Sequence, residues 1–445
     1  MFWSLRHPIR IVPVLYIIAI SIGTLVLWLP MARAEGGSAP LVTALFTSVS
    51  AVAVTGLIVE DTPVYWSHFG QIAILVLIQI GGLGTKTAAS FFALTVGRGF
   101  VLRRTLEREV EREQLNLSDA TFAIKLILII TVIVEAITAA ILAYRFHTSH
   151  ALEWGSAIWH GLFHAVSAFN NAGFSTFSDS VMGFQWDGAI LLPLAAAVII
   201  GSLGFPVLQD LLRCGRRPGN WTLHTNITVG GTVALLIAGF LVILIAESGN
   251  AETLGPMGWG ERTLNAFFHS AMPRTAGFNS LDVSAFRDET ALFHYALMFI
   301  GGGSAGTAGG IKITTVAVLF VILIYQVRGQ GGPELEGHRL SYQLASQAVT
   351  VIMLGLSVIF LAAFYLAVRT PHSLDLIVFE CISAFATVGL SQGITGQLPV
   401  DAELVIVALM FLGRVGTITA ATWLAMGAAG RGTPAKTDGR DPIIG

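Results

Sequence analysis

Apolar runs interrupted by short polar and glycine-rich clusters give this chain one layout, read four times. First runs cover 10–30, 122–144, 225–246 and 343–367; as helices rising ~1.5 Å per residue, each is long enough to cross a hydrocarbon core of ~30 Å. A shorter helical stretch follows each run, at 40–53, 156–170, 262–274 and 374–386, and these stretches carry His164, His269, Arg274 and Glu380. They are too short to cross, so the pattern predicts segments that enter the membrane and turn back. Second apolar runs come at 64–96, 188–212, 289–327 and 401–427. The layout therefore predicts eight crossings and four re-entrant hairpins.

Between each short stretch and its second run lies a related segment: Ser50 to Leu57, Ser167 to Phe174, Ala271 to Phe278 and Ser383 to Leu390. In all four a glycine stands six residues after a small residue. Gly56, Gly173, Gly277 and Gly389 are spaced by 117, 104 and 112 residues, too far apart for a solenoid and suited to a pair of spans. The chain divides accordingly into repeats 1–115, 116–220, 221–335 and 336–430, followed by a tail, 431–445.

A second motif recurs inside the second runs, as Gly81-Gly82-Leu83-Gly84, Gly201-Ser202-Leu203-Gly204 and Gly413-Arg414-Val415-Gly416. These read as close helix packing through small residues. The third copy differs: Gly301, Gly302, Gly303, Ser304, Ala305, Gly306, Thr307, Ala308, Gly309 and Gly310 follow one another. So little side chain cannot hold a helix, and the 289–327 run is longer than one crossing needs, so it is expected to unwind there. Non-helical backbone at that depth survives where it lines a cavity or is buried in protein. The stretch from Gly301 to Lys312 is therefore expected to be a movable barrier, with Ser304 and Thr307 among the groups that close the path.

Composition agrees with lipid as the solvent. Of 445 residues, 54% are hydrophobic and 12% charged, where soluble domains run near ~45–50% and ~25%, and the mean hydropathy is +0.74. A net charge of −2 gives no basic footprint for nucleic acid. Cys214 and Cys381 lie far apart, which excludes a disulfide framework or a paired-cysteine metal knuckle. Sixteen lysines and arginines fall in one set of connections and six in the other, with Lys86, Lys312 and Arg414 inside runs. The positive-inside rule assigns the richer set, and with it both termini, to the cytoplasm. The hairpins then open outward, and the first run is read as an uncleaved span.

A short helix followed by an extended strand with a glycine, four times around an axis, is an arrangement that offers backbone carbonyls to a dehydrated cation. Glycine suits it because successive carbonyls pointing to one side require φ > 0, where a Cβ is costly. Thr387-Val388-Gly389 resembles the Thr-Val-Gly core of a potassium-channel filter. With all four segments in place, from about Ile9 to Ala428, the chain resembles the Trk/Ktr/HKT superfamily of K+ transporters and is most similar to the Ktr-type membrane subunit.

That resemblance implies an all-α polytopic membrane protein whose four span, re-entrant pore helix, span repeats form a pseudo-tetrameric, K+-channel-like pore. It implies a selectivity filter of Val54-Thr55-Gly56, Asn171-Ala172-Gly173, Thr275-Ala276-Gly277 and Thr387-Val388-Gly389, and the unwound third-repeat loop as gate, with Arg414 as the family's last-span arginine. It also implies transported K+, no organic cofactor, and a homodimer seated on a cytoplasmic nucleotide-binding ring subunit. A serine at the position of Gly56 goes with Na+ transport in the family. The third repeat departs from the pattern through Pro273 and Arg274, and its Phe268-His269 pair lies one residue nearer the glycine than Phe163-His164 does.

Intramembrane charge is functional by default. Arg414 is too deep to reach the membrane face, whereas Lys86 and Lys312 can also be read as snorkelling to the cytoplasmic side. Glu135 and Glu380 can be read as ion or proton ligands or, with His164 and His269, as structural hydrogen-bonding groups, and Asn170 and Asn171 as supports for the second glycine segment. Gly84-Thr85-Lys86-Thr87 and Gly309-Gly310-Ile311-Lys312 break the contiguity of a phosphate loop, and no hydrolase or metalloprotease motif is present, so an enzyme is disfavoured. Arg98 to Glu113 reads as a solvated cytoplasmic helix or a docking face. The sequence leaves K+ uptake in the lead and a Na+-selective or H+-coupled carrier of the same fold as the alternative. Na+ dependence of K+ uptake stays open.

Overall fold

Glycine and proline decide where the apolar runs become separate helices. The structure is a computed structural model that describes residues 8–84, 117–215, 217–328, 334–335, 338–339 and 342–416. Lys86, the loop Arg98 to Glu113, the boundary at 115 and the tail 431–445 lie outside the described residues.

The four first runs are helices Pro8–Trp28, Leu117–His150, Leu223–Glu247 and Tyr342–Arg369. On Leu117–His150, buried Ile127, Thr131, Glu135, Thr138 and Leu142 repeat every three or four residues, while Leu128, Ile129, Val132, Ile133 and Ile137 are exposed. Polar groups therefore turn inward and large apolar groups outward, the reverse of a helix packed in water. The four short stretches are helices Leu41–Ala53, Trp154–Phe169, Trp259–Ala271 and Leu374–Ala386. The third stops three residues before the expected end because Pro273 has no N–H to continue it.

Three of the second runs are interrupted among the described residues. His68–Gly84 is helical to the edge of the described residues. Gly188–Leu203 and Phe205–Cys214 meet at Gly204, where φ is +93° and the axis bends by 98°. Asp288–Phe299 and Ile313–Val327 are separated by the glycine-rich loop, as the composition requires. Val400–Phe411 runs into a π-helical turn, Leu412–Gly416.

Among the described residues, three helices are long and apolar enough to cross a membrane alone: Ile124–His150, Leu223–Glu247 and Ala345–Arg369. The bent pair makes a fourth, and Val12–Trp28, His68–Gly84 and Ile313–Val327 are shorter apolar helices. Among the described residues the departures from an all-helical architecture are an antiparallel pairing of Glu334–Leu335 with His338–Arg339 and single bridges between Arg33 and Trp66 and between Ile300 and Ile311.

Candidate functional site

Each short helix delivers its glycine segment through the same backbone device. Val54, Asn171, Thr275 and Thr387, each two residues before a glycine, have φ of 57°, 59°, 80° and 52°. The glycines then return to positive φ, at 92°, 72°, 70° and 93° for Gly56, Gly173, Gly277 and Gly389. A left-handed β-branched residue costs ~1–3 kcal/mol and persists only where its surroundings hold it. Here the N–H groups of Thr55, Ala172 and Val388 donate to the carbonyls of Ser50, Ser167 and Ser383 at 2.8, 2.7 and 2.9 Å. The same serines act again through their hydroxyls. Ser50 Oγ accepts from Gly56 N–H and Ser383 Oγ from Gly389 N–H, while Ser167 Oγ donates to Phe174 O at 2.8 Å. These are the small residues six positions before each glycine, so the signal was in the repeat itself.

The third segment is closed differently. Ala271 stands where the others have serine, and Ala276 N–H donates to Met272 O, four residues back instead of five. Arg274 is buried and donates to the hydroxyl and carbonyl of Thr232 on Leu223–Glu247. The departure expected at Pro273 and Arg274 is thus a tighter turn that still ends in a positive-φ glycine.

The four segments form a closed circuit. A Cβ on Gly56 would fall against the carbonyl oxygen of Ala172, on Gly173 against that of Ala276, on Gly277 against that of Val388, and on Gly389 against that of Thr55. Each glycine therefore abuts the carbonyl just before the next segment's glycine. Thr55, Ala172, Ala276 and Val388 are all buried, and the hydroxyls of Thr55 and Thr387 are buried without a hydrogen-bond partner among the described residues. The glycines line one cavity of about 370 Å³, shared with Asp61, Asp179, Asp282, Ser391 and Thr395.

The second-run glycines pack the short helices from behind. A Cβ on Gly81, Gly201 or Gly413 would collide with the carbonyl of Val52, Phe169 or Phe385, each four residues before a segment glycine, which is the close packing read from sequence.

The loop 301–312 is pinned at its ends and held across its middle. Ile300 and Ile311 pair as a parallel bridge, Gly301 N–H donates to Ile311 O at 2.9 Å and Ile313 N–H to Gly302 O at 3.2 Å. Gly303 N–H donates to Ser202 O at 2.8 Å and Thr307 N–H to Gly201 O at 3.2 Å, so the loop lies on the broken second run before it. Thr307 Oγ1 donates to Asn171 Oδ1 at 2.8 Å. Arg414, buried in the π-helical turn, donates to Thr307 O, and Lys312 Nζ donates to the carbonyls of Ala308 and Gly309. Of the two open readings for Lys312, the geometry is that of an ammonium turned onto its own loop. Ser304 instead shares a hydrogen bond with Thr314 Oγ1.

Glu135 joins this assembly from the inward face of Leu117–His150. Its carboxylate accepts from Gln79 Nε2 at 3.2 Å and Asn170 Nδ2 at 3.1 Å, which links two second- and first-run helices to the residue before Asn171.

Residues 2–428 match the TrkH family, described as a cation transport protein. The chain belongs to that family. It is 36% identical over 422 residues to the Ktr system potassium uptake protein B of Bacillus subtilis, covering 94% of this chain and 93% of that protein. It is also 36% identical over 421 residues to the potassium/sodium uptake protein NtpJ of Enterococcus hirae, covering 93% and 91%. Among solved structures, the potassium transporter TrkH from Vibrio parahaemolyticus superposes with a TM-score of 0.69 over 93% of this chain and 84% of that one, at 18% identity. That likeness establishes the all-helical fold. The relatives of this TrkH-family member are thus named as transport proteins, which agrees with a chain whose polar side chains face inward.

Proposed function

We propose that this chain carries K+ inward across the cytoplasmic membrane through a path whose narrow part is the circuit of four glycine segments. The observation that carries this reading is the circuit itself: the carbonyl before each glycine abuts the next glycine, around one cavity. Backbone carbonyls so arranged are the ligands that replace a cation's hydration shell. Unpartnered, buried Thr55 and Thr387 hydroxyls add oxygen donors of the same hard character. Relatives at 36% identity named as potassium uptake proteins favour K+ as the cargo.

In this reading the repeats 1–115, 116–220, 221–335 and 336–430 surround the path as a pseudo-tetramer, with Val54-Thr55-Gly56 and its three counterparts as the filter. The 301–312 loop, with Lys312 and Arg414, is the gate. The chain works as a homodimer with both termini cytoplasmic, under a cytoplasmic nucleotide-binding ring subunit, and acts as a transporter with no organic cofactor. A second reading, Na+ as cargo or as coupling ion, is favoured by the potassium/sodium uptake protein among the relatives. H+ coupling is the remaining alternative.

Expression in cells lacking their own K+ uptake tests the proposal: growth at low external K+ is expected, with rubidium uptake that K+ suppresses more strongly than Na+ does. Membrane-inserted protein that rescues nothing would refute it, and uptake suppressed equally by Na+ would favour the second reading.

A further inference from the structure

We infer that His164, His269 and Glu380 are positioning residues that hold the glycine circuit from behind, by fastening the chain just past each glycine to the short helix that precedes it; the inference rests on the K+ path proposed above. His164 stands nine residues before Gly173, Glu380 nine before Gly389, and His269 eight before Gly277, the offset matching the shortened turn after Pro273. All three side chains are fully buried. Each reaches over its own glycine segment to the residues that follow it.

The chemistry differs each time while the connection stays the same. Glu380 accepts from the hydroxyl of Ser391 at 3.0 Å through one carboxylate oxygen and from that of Thr395 through the other. His269 Nε2 accepts two backbone N–H groups, from Ser280 at 3.2 Å and Leu281 at 3.1 Å. A nitrogen that accepts twice carries no proton, so this ring is neutral with its proton on Nδ1. His164 Nδ1 lies 2.7 Å from His160 O, which can only accept, so Nδ1 carries a proton; Nε2 lies 3.0 Å from Ser175 Oγ, whose single proton is shared between Nε2 and Ser180 O, also at 3.0 Å. Ser175 Oγ in turn accepts from Phe177 N–H at 2.9 Å, which fixes the outgoing strand a second time. The first repeat has Thr47 at this position.

These tethers complete a bracket. The serines six residues before the glycines hold the near end of the segments, and the buried groups at eight or nine residues hold the far end. Between the two fixed points lie the carbonyls of the circuit. Whether K+ is told from Na+ by cavity size or by the number and field of carbonyl dipoles, the distinction requires that the carbonyls not close on a smaller ion. Buried hydrogen bonds that fix the outgoing chain at Ser175, Ser280, Leu281, Ser391 and Thr395 are a way to enforce that. Ser175, Ser391 and Thr395 also line the 370 Å³ cavity, so the tethers act at the mouth of the circuit and not remotely.

The test uses the full chain in liposomes and reads rubidium uptake against Na+ competition. Glu380→Leu and His164→Leu are expected to lower the preference for K+ over Na+ by about tenfold, the effect of one or two lost hydrogen bonds. Glu380→Gln, which keeps an acceptor oxygen, is expected to stay within about threefold of wild type. A merely structural role would reduce the amount of folded protein and leave the preference of the folded fraction intact. Wild-type preference in leucine variants that elute like wild type would overturn the inference. Should those variants fail to fold, Ser391→Ala with Thr395→Val removes the same hydrogen bonds from the solvent side, and an unchanged preference there overturns it equally. Absence of uptake in the wild-type protein would instead remove the reading on which the inference stands.

Discussion

The Thr307 hydroxyl donates to Asn171 Oδ1 across 2.8 Å, tying the glycine-rich loop to the left-handed residue two positions before Gly173. Asn171 passes the connection on, since its Nδ2 reaches Thr275 Oγ1 at 3.4 Å in the third segment. Any movement of the loop away from the circuit must break the first bond. Such a bond contributes ~1 kcal/mol, equivalent to roughly a fivefold change in the population of a displaced loop. Thr307→Val is therefore expected to raise uptake severalfold when no cytoplasmic partner is present. Rubidium influx into liposomes measures it, and a rate equal to wild type would mean that this bond does not hold the path closed.

Gly56→Ser is expected to weaken discrimination between K+ and Na+. Gly56 has φ of +92°, and any Cβ there meets the Ala172 carbonyl, so a side chain must displace a carbonyl belonging to the next segment. The strain falls on two segments at once, which predicts a larger loss of selectivity than of protein yield. Competition of Na+ against rubidium uptake reads the change, and an unaltered ratio would remove Gly56 from the proposed filter.

Much of this architecture is legible in the sequence because its signals are local. Glycine spacing, the length of the apolar runs and the helix-poor Gly301–Gly310 stretch each act within a few residues; the break at that stretch falls where it is expected, whereas the bend at Gly204 and the π-helical turn Leu412–Gly416 interrupt runs that read as continuous. Arg414 and Lys312 are visible as intramembrane charges. Their partners are not, because Thr307, Ala308 and Gly309 offer carbonyls, which every residue possesses. The pairing of Glu135 with Gln79 and Asn170 is hidden for a similar reason: it joins residues 56 and 35 positions apart, and no periodicity records it.

Outside the spans, Asp187 is expected to make a pH-dependent contribution to stability. It begins Gly188–Leu203, accepting from Ala189 N–H at 2.9 Å, and also meets Arg145 at 2.7 Å and His150 at 3.1 Å. Burial alone would raise its pKa, but hydrogen bonds from Arg145, His150 and Ala189 outweigh that and hold it below the ordinary carboxylate value. A depressed folded-state pKa gives stability that is fully present above the unfolded value of ~3.9 and lost as pH falls through the folded one. Asp187→Ala is expected to cost about 1 kcal/mol at pH near ~7, with the gap to wild type narrowing below pH ~4. Thermal unfolding in detergent across that range checks it; a gap that stays constant into acid contradicts the assignment.

Arg414→Gln is expected to change flux more than it changes yield. The guanidinium is buried and donates to Thr307 O, so it holds the same loop residue that the Asn171 bond holds from the other side. Glutamine keeps a donor but removes the charge, and charge-assisted bonds are about twice as strong as neutral ones. Uptake rate and apparent affinity both unchanged would make Arg414 a structural cation with no part in closure.

Shortening the loop by a few residues between Gly303 and Gly310 is expected to raise flux and to reduce dependence on the proposed cytoplasmic partner. The ends of the loop are fixed independently of its middle, by the Ile300–Ile311 bridge and by the bonds from Gly301 to Ile311 and from Ile313 to Gly302. A deletion between those anchors leaves the flanking helices, Asp288–Phe299 and Ile313–Val327, in register. What it removes are the crossing contacts: Gly303 to Ser202, Thr307 to Gly201 and Asn171, and the carbonyls that receive Arg414 and Lys312. A segment without large side chains has few apolar contacts to restore closure once these bonds are gone, so its open population rises. A partner acting by shifting that population then has little left to shift. The measurement is rubidium uptake by purified wild-type and deleted protein, with and without the ring subunit and its nucleotide. A deletion variant that folds, assembles and still requires its partner at wild-type rates would locate the barrier away from this loop.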